Sequence, residues 1–255
     1  MNIQDSIAII TGGASGLGEG TARNIVKHGG KVAILDLSEE KGTSLAEELG
    51  EQAIFIKTDV TSEGDVQVAI ETTIAQFGSF NTVVNCAGVG AAEKTVSKGK
   101  AHDYATFQKV IQINLMGTFN VIRLAAEKLV EAEANEEGER GVIINTASVA
   151  AYEGQIGQAA YSASKGGVVG MTLPIARDLA KNGIRVVTIA PGLIETPLFG
   201  SLSDKAREAL ESQIPFPSRL GRPEEYAKLT QSILENVMIN GETIRLDGAL
   251  RMAPK

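Results

Sequence analysis

Seven short runs of apolar, mostly β-branched residues recur at wide intervals along this chain of 255 residues. Most of the runs are continuous rather than alternating, which is typical of strands buried on both faces of a parallel sheet. They occupy residues 7–10, 32–35, 53–56, 82–84, 142–144, 184–189 and 243–246. The pattern therefore predicts a sheet of about seven parallel strands that is covered on both faces.

Segments with the apolar spacing of helices lie between the runs. They occupy residues 18–28, 38–49, 64–77, 104–129, 161–180 and 223–236. Alternation of strand and helix implies right-handed βαβ units. Because no change in composition marks a linker, we predict an α/β fold with a single doubly wound Rossmann domain over residues 1–255.

The composition narrows the class of protein. Against 24 Lys and Arg stand 31 Asp and Glu, and a net charge of −7 argues against nucleic-acid or anionic-membrane partners. The lone cysteine, Cys86, excludes an intrachain disulfide and suits a reducing compartment. With 2 histidines we expect no metal site. No apolar run reaches the ~20 residues that cross a bilayer, so we expect a cytoplasmic protein.

A glycine-rich turn joins the first strand run to the first helix. It reads Thr11-Gly12-Gly13-Ala14-Ser15-Gly16-Leu17-Gly18. Glycines at Gly12, Gly16 and Gly18 allow a sharp turn, close approach to a diphosphate, and packing of the helix on the strand. The helix N-terminus then offers unpaired N–H groups to the phosphates. The turn predicts a dinucleotide site; the alternative is a glycine-rich turn without a ligand.

Acidic and small residues follow the next strand runs. Asp36 ends the second run, where such units carry a carboxylate that meets the adenosine ribose hydroxyls. A carboxylate there repels a 2′-phosphate, which favours NAD over NADP, although Asp36 can also cap the following helix. Asp59-Val60 and Asn85-Cys86-Ala87-Gly88 follow the third and fourth runs, at the sheet edge where ligands bind.

A catalytic group of residues is predicted after the fifth run. Ser148 precedes the segment Tyr161-Ser162-Ala163-Ser164-Lys165, in which Tyr161 and Lys165 share one helix face. A free phenol has a pKa near 10, but an ammonium ~4 Å away at an effective dielectric of ~20 contributes ~4 kcal/mol. We therefore expect Lys165 to lower the pKa of Tyr161 to roughly 7, where a phenol works as a general acid and base. An ordinary surface pair is the alternative.

Together these residues resemble the classical short-chain dehydrogenase/reductase family, and the resemblance extends along essentially the whole chain. The matching positions include Asn114 and Pro191-Gly192 besides those given above. The resemblance implies that Tyr161 is the catalytic acid and base, that Ser148 binds the reacting oxygen, and that Lys165 holds the nicotinamide ribose. It also implies that Asn114 positions a water in a proton relay.

A narrower resemblance is to the type 2 3-hydroxyacyl-CoA dehydrogenases within that family, a group also named among the 17β-hydroxysteroid dehydrogenases. The residues that carry it include 114–124, 141–151, 157–167 and 215–221. It implies an enzyme of fatty acid metabolism that interconverts 3-hydroxyacyl-CoA and 3-ketoacyl-CoA with NAD. The cofactor contacts so implied or predicted are Gly12, Ser15, Gly16, Leu17, Gly18, Asp36, Asp59, Val60, Cys86, Ala87, Gly88, Tyr161, Lys165, Pro191, Ile194 and Thr196.

Three other functions stay open at this point. A broad alcohol or hydroxysteroid dehydrogenase fits the same motifs, a 3-ketoacyl carrier-protein reductase fits them less well because Asp36 disfavours NADPH, and a noncatalytic dinucleotide-binding protein has no use for a tuned phenol. The resemblance further implies a homotetramer, with residues 244–252 as an interface segment.

Three loops carry further expectations. Residues 194–222 contain three prolines around a helical stretch at 204–213 and are predicted to form a substrate lid, with Leu198, Phe199 and Phe216 as its apolar side chains. Residues 131–140 carry five glutamates and are predicted to be a solvated loop. Residues 94–102 are expected to be an exposed loop, whose Lys94, Lys98 and Lys100 are alternatively partners for CoA phosphates.

Overall fold

The computed structural model describes residues 1–196 and 204–254. Its central sheet contains the strands β1 (Ile7–Thr11), β2 (Lys31–Asp36), β3 (Ala53–Lys57), β4 (Thr82–Asn85), β5 (Gly141–Thr146), β6 (Ile184–Pro191) and β7 (Thr243–Leu246). They lie in the order β3-β2-β1-β4-β5-β6-β7, and every neighbouring pair is parallel. The predicted α/β class and the seven parallel strands are confirmed.

Helices cover both faces of the sheet. They are α1 (Gly16–Lys27), α2 (Glu39–Leu49), α3 (Glu63–Phe77), α4 (Tyr104–Ile111), α5 (Thr118–Leu129), α6 (Ala159–Leu179), α7 (Asp204–Glu211) and α8 (Pro223–Glu235). Successive strand residues pack alternately into two hydrophobic cores, one on each face of the sheet. One core contains Ile10 and Ile34 with Ile25 of α1 and Tyr226 of α8. The other contains Ile9 with residues of α3 and α5. Burial on both faces explains why the strand runs are continuously apolar.

The strand order reverses beside β1, because the chain crosses from β3 back to β4 on the other side of β1. Connections that leave β1 and β4 therefore run in opposite directions, which opens a crevice at the carboxyl ends of these strands. The glycine-rich turn after β1 and residues 86–88 after β4 lie at this crevice.

The helix predicted over residues 104–129 is interrupted. A π-helical turn over Gln112–Gly117 separates α4 from α5, so the prediction of one continuous helix was wrong. The turn lets Gly117 pack against Val60, where a Cβ on Gly117 would lie 2.7 Å from Val60 Cγ2. It also carries the fully buried Asn114. Such turns are frequent at functional sites, and apolar periodicity alone does not distinguish them from an α-helix.

One glutamate of the acidic segment contradicts the prediction of a solvated loop. Glu139 is 5% exposed, and its carboxylate accepts a hydrogen bond of 2.7 Å from Nε of the buried Arg185 on β6. The remaining Arg185 donors bind backbone carbonyls at the end of α8, including those of Ile233 and Leu234. The charge pattern does not show this because the partner lies 46 residues further along the chain.

The segment after β4 contains a short antiparallel hairpin that the sequence did not predict. It pairs Val96–Ser97 with Lys100–Ala101. The three lysines of residues 94–102 are exposed, as expected. His102 is less exposed than expected, because its side chain contacts Glu93, with 3.7 Å between Nδ1 and Oε2, and the edge of Phe107.

Part of the predicted lid, including Leu198 and Phe199, lies outside the described residues. Of the described part, Phe216 is 82% exposed and α7 is slightly shorter than the predicted stretch. Within residues 1–196 and 204–254, the helices are too short or too polar to cross a membrane.

Candidate active site

A cavity of about 1150 Å³ opens at the carboxyl ends of the strands. Its walls come from the turn after β1, the ends of β2 to β6 and the start of α6. The lining includes Gly12, Ser15, Gly16, Leu17, Gly18, Asp36, Asp59, Val60, Cys86, Ala87, Gly88, Ser148, Tyr161, Lys165, Pro191, Ile194 and Thr196. The fold thus brings together every predicted site residue except Asn114, which lies behind the wall.

The turn after β1 leaves little space beside its glycines. Gly12 has a φ of +61°, and a Cβ there would lie 2.7 Å from the backbone nitrogen of Ala87. Gly16, with a φ of +55°, begins α1, whose first-turn N–H groups lack partners within the helix. The turn therefore has the shape and the donors that a bound diphosphate requires.

Two aspartates are fixed by backbone donors at the same edge. Asp36 accepts hydrogen bonds from the backbone nitrogens of Ala14, at 3.2 Å, and Ser38, at 3.0 Å. Its carboxylate is thus tied both to the glycine-rich turn and to the start of α2, and it still faces the cavity. Asp59 accepts from the backbone nitrogen and the hydroxyl of Thr61, at 2.9 and 2.7 Å. Both carboxylates are held in place before any ligand binds.

The Asn114 side chain forms hydrogen bonds with the backbone of the loop after β4. Its amide oxygen accepts from the backbone nitrogen of Val89 at 2.8 Å, and its amide nitrogen donates to Val89 O at 2.9 Å and to Ser164 Oγ at 3.1 Å. These bonds use both amide hydrogens. The side chain therefore holds Val89, which lines the cavity, against helix α6.

Ser148 and Tyr161 both line the cavity. Ser148 follows β5, and its oxygen accepts from the backbone nitrogen of Ala150 at 3.1 Å. Tyr161 lies in the first turn of α6. Burial raises the pKa of the Tyr161 phenol, and a hydrogen bond from Ser148 partly offsets that rise.

The expectation that Lys165 lowers the pKa of Tyr161 to roughly 7 was wrong, because burial raises that pKa. Lys165 Nζ donates to the carbonyl oxygen of Thr146 at 2.7 Å and lies 5.9 Å from the centre of the Tyr161 ring. Since Lys165 is 4% exposed, burial lowers its pKa to about 8. The sequence-based expectation omitted desolvation, which opposes charge on both groups.

A buried polar cluster beneath the lysine was not predicted. The hydroxyl of Tyr226, on α8, lies 2.8 Å from Thr146 Oγ1, and the Cys86 thiol lies 3.8 Å from the same tyrosine oxygen. Burial raises the pKa of the Cys86 thiol, which disfavours the reactive thiolate form. Tyr226 carries no local signal, because only the packing of α8 on α1 brings it here.

Several other residues that line the cavity were not predicted from the sequence motifs. They include Val89, Lys109, Gln112, Ile113, Gln158 and Met252. Lys109 in α4 and Ile113 in the π-helical turn are four residues apart. This spacing is typical of any amphipathic helix, so it does not indicate a binding site. Among the described residues, there is no group of three or more His, Cys, Asp or Glu side chains that could hold a metal ion.

Comparisons with known proteins agree with the family resemblance that the motifs indicate. The family model described as short chain dehydrogenase matches residues 6–207. The 3-hydroxyacyl-CoA dehydrogenase type-2 of Homo sapiens is 57% identical over 255 residues, which cover 99% of this chain and 98% of that protein. An ipsdienol dehydrogenase of Ips pini is 39% identical, over 98% of this chain and 99% of that protein.

A solved structure is similar over the same length. It is the crystal structure of 3-hydroxyacyl-CoA dehydrogenase type-2 from Mycobacterium avium, with a TM-score of 0.96 and 48% sequence identity. The match covers 99% of this chain and 98% of that chain. The similarity therefore includes the whole sheet and the segments that line the cavity.

Proposed function

Because this chain belongs to the short-chain dehydrogenase/reductase family, we propose that it is an NAD-dependent oxidoreductase that interconverts 3-hydroxyacyl-CoA and 3-ketoacyl-CoA. One observation carries the proposal: Ser148, Tyr161 and Lys165 line the same cavity as the glycine-rich turn. The substrate class is supported by the names of the relatives with more than half of their residues identical to this chain. The reaction class would place the enzyme in fatty acid metabolism.

The residues around the cavity fit an NAD molecule. Gly12 leaves room for a diphosphate where a Cβ would collide with Ala87, and the N–H groups of α1 supply donors. The Asp36 carboxylate would accept from the ribose hydroxyls of the adenosine and repel a 2′-phosphate. Leu17, Asp59 and Val60 would surround the adenine.

The other half of the dinucleotide would lie across the carboxyl ends of β4 and β6. Gly88 and Pro191 would border the nicotinamide, with Ile194 as its apolar neighbour and Thr196 on its carboxamide. Lys165 would leave the Thr146 carbonyl to bind the ribose. Bound NAD supplies the hydride acceptor, and its positive ring charge lowers the pKa of a nearby phenol.

In the proposed mechanism, Tyr161 takes the proton from the 3-hydroxyl group as the hydride leaves the same carbon. Ser148 donates to the substrate oxygen and stabilises its developing negative charge. Lys165 would hold the ribose of the bound cofactor, and it would then take up the proton that Tyr161 has received from the substrate. Because the Asn114 side chain is occupied by Val89 and Ser164, we assign the relay water to the Asn114 backbone carbonyl, whose oxygen accepts from Thr118 Oγ1 at 2.8 Å and has a second lone pair.

Activity assays test this proposal directly. The purified protein is expected to reduce acetoacetyl-CoA with NADH and to do so poorly with NADPH, followed by the absorbance of the coenzyme. Turnover with NADPH but not with NADH would contradict the role given to Asp36. A panel of hydroxyacyl-CoA esters and steroid alcohols then ranks the substrates.

The Tyr161→Phe variant tests the acid–base role. It removes only the hydroxyl, and kcat should fall by roughly 10²–10⁴-fold because general acid–base catalysis contributes about that much. Tyr104→Phe, at a tyrosine 72% exposed, is the matched control and should keep the wild-type rate. A Tyr161→Phe enzyme with near wild-type kcat would refute the mechanism.

A second candidate function is a broad secondary alcohol dehydrogenase. The observation that favours it is the similarity to an ipsdienol dehydrogenase, whose name denotes an alcohol substrate. The same cavity and residues would serve it. Preference for the steroid alcohols over the CoA esters in the substrate panel would favour this second function.

Three further proposals concern the lid and domain, the oligomeric state and the compartment. We propose that residues 194–222 form a lid over the substrate, because Ile194 and Thr196 at the start of this segment line the cavity. We also propose that residues 1–255 form a single domain. We propose a homotetramer, supported by a shallow apolar groove between α5 and α6 whose Phe119 is 44% exposed. The lone, unpaired Cys86 supports a reducing compartment such as the cytoplasm.

A further inference from the structure

One wall of the cavity comes from a segment far along the chain from the motifs. Met252 lines the cavity, although it lies 87 residues after Lys165. Its backbone nitrogen donates to Glu153 Oε2 at 3.2 Å, and the next two residues continue the contact. Gln155 Nε2 donates to Ala253 O at 3.1 Å, and Ile156 N donates to Pro254 O at 3.0 Å.

These contacts locate Met252 at the catalytic end of the cavity. Glu153 and Ile156 belong to the connection between Ser148 and Tyr161, so residues 252–254 lie directly on that connection. The opposite end is marked by Asp36 and the glycine-rich turn after β1. Met252 therefore lines the cavity on the side of the connection between Ser148 and Tyr161, where the proposed mechanism places the substrate.

An ion-pair cluster holds this segment in place. Arg245, at the end of β7, donates to Glu153 Oε1 at 2.7 Å and to Asp247 Oδ2 at 2.7 Å. Arg251 Nη1 lies 3.3 Å from the same Asp247 oxygen. Arg245 holds the pKa of the Glu153 carboxyl below its usual range, so the cluster stays charged at neutral pH. Both arginines are thus occupied by carboxylates.

Apolar side chains lie behind the segment. Leu250 is fully buried against Ile214 and Leu220, and Met252 and Leu193 pack on this small core. Met252 therefore packs on apolar side chains, and the nearby Arg245 and Arg251 are paired with carboxylates. Such a surface suits an acyl chain and offers nothing to a phosphate.

Unpaired cations lie elsewhere. Lys109 lines the cavity from α4, and Lys94, Lys98 and Lys100 stand exposed in the neighbouring hairpin region. Within the described part of the chain, these four lysines make no ion pair. These lysines would favour the anionic phosphates of a CoA ester, whereas the apolar Met252 wall, whose neighbouring arginines are paired, would favour its acyl chain.

We propose that Met252 is a specificity-determining residue that contacts the acyl chain and limits its length, and that Glu153 is the positioning residue that holds it there. This inference rests on the proposed function, since it needs a 3-hydroxyacyl-CoA or 3-ketoacyl-CoA substrate. A thioether side chain is flexible and apolar, and one methylene more or less in such a pocket changes discrimination by about 10–200-fold.

The test compares kcat/KM for acetoacetyl-CoA and 3-ketooctanoyl-CoA with NADH in the full-length protein. Met252→Ala should raise the ratio of long-chain to short-chain kcat/KM by about 10-fold or more, and Met252→Phe should lower it. The matched control is Met238→Ala, at a methionine 86% exposed, which should leave the ratio unchanged. The Kd for NADH, from fluorescence titration, should be the same in all of them.

Each result has a definite meaning. If the wild type reduces the CoA esters but both Met252 variants keep its ratio within twofold, the inference is overturned and the proposed function stands. If the wild type reduces neither ester, the proposed function fails and the inference fails with it. A changed Kd for NADH in Met252→Ala would place the residue on the cofactor and also overturn the inference.

Glu153→Gln tests the positioning role. Loss of the charge should free residues 247–254 and move the chain-length ratio in the same direction as Met252→Ala, with the Kd for NADH unchanged. Glu153→Asp, which keeps the charge, should restore part of the wild-type ratio. An equal fall in kcat/KM for both esters, with the ratio unchanged, would indicate a merely structural role and refute the positioning.

Discussion

Burial governs the titratable residues of the candidate active site more strongly than their sequence spacing does. Tyr161 and Lys165 are one helical turn apart, and that spacing suggested that the ammonium lowers the phenol pKa. In the structure, burial raises the pKa of Tyr161 and lowers the pKa of Lys165 to about 8. The helix sets the shared face, but the surrounding protein decides which charge is tolerated.

The lowered pKa of Lys165 predicts how stability depends on pH. The unfolded lysine keeps its proton up to pH 10.5, whereas the native one releases it near pH 8. Between these values the unfolded state binds more protons, so raising the pH favours the native state. Relative to Lys165→Met, the free energy of unfolding of the wild type should rise by about 3 kcal/mol across this window.

Urea unfolding of the cofactor-free protein at several pH values, followed by circular dichroism, measures this difference. Lys100→Met is the control, because Lys100 is exposed and its replacement should give no such pH dependence. A difference between wild type and Lys165→Met that stays flat from pH 8 to 10.5 would show that the native lysine titrates normally.

At the scale of elements, a close contact between α2 and β3 depends on a missing side chain. Gly42 of α2 lies against the ring of Phe55 on β3, and a Cβ there would collide with that ring. Gly42→Ala should therefore lower the free energy of unfolding by about 1–3 kcal/mol, because overpacking forces the ring or the helix to shift.

The matched control lies in the next helix. A Cβ at Gly64 of α3 would meet no heavy atom within 4 Å in the described structure. Gly64→Ala should raise the free energy of unfolding by up to about 1 kcal/mol, since alanine is the better helix former. Equal effects of the two substitutions in thermal unfolding would refute the packing of α2 on β3.

The elements themselves could largely be predicted from the sequence, and their irregularities could not. Every strand run became a strand within two residues, because continuous apolar runs reflect burial on both faces. The π-helical turn at Gln112–Gly117 was missed, since it arises from the packing of Gly117 on Val60 and from the Asn114 bonds to Val89. These contacts join residues that are distant in the chain.

Across the whole molecule, a buried ion pair ties distant parts together. The Glu139 side chain is 3% exposed and the Arg185 side chain 5% exposed, and Arg185 also binds the carbonyls at the end of α8. Glu139→Gln leaves the arginine charge buried without a carboxylate. The free energy of unfolding should fall by about 3–5 kcal/mol, because an uncompensated buried charge costs about that much.

The comparison is with an exposed pair between α1 and α2. Glu48→Gln breaks the pair with Arg23, whose atoms lie 2.7 Å apart at the surface, and should change stability little. Both variants are measured by urea unfolding at neutral pH. If Glu139→Gln is as stable as Glu48→Gln, the buried pair does not join the end of α8 to the sheet.

The sequence by itself determined the parallel sheet, the glycine-rich turn and the positions of Ser148, Tyr161 and Lys165, because periodicity and local motifs are short-range properties of the chain. Only the tertiary structure decided that Glu139 is buried, that Asn114 holds Val89, and that Met252 lines the cavity. Each of these depends on a partner that the chain brings close only by folding. Desolvation and long-range contact are properties of the packed molecule, so no local pattern records them.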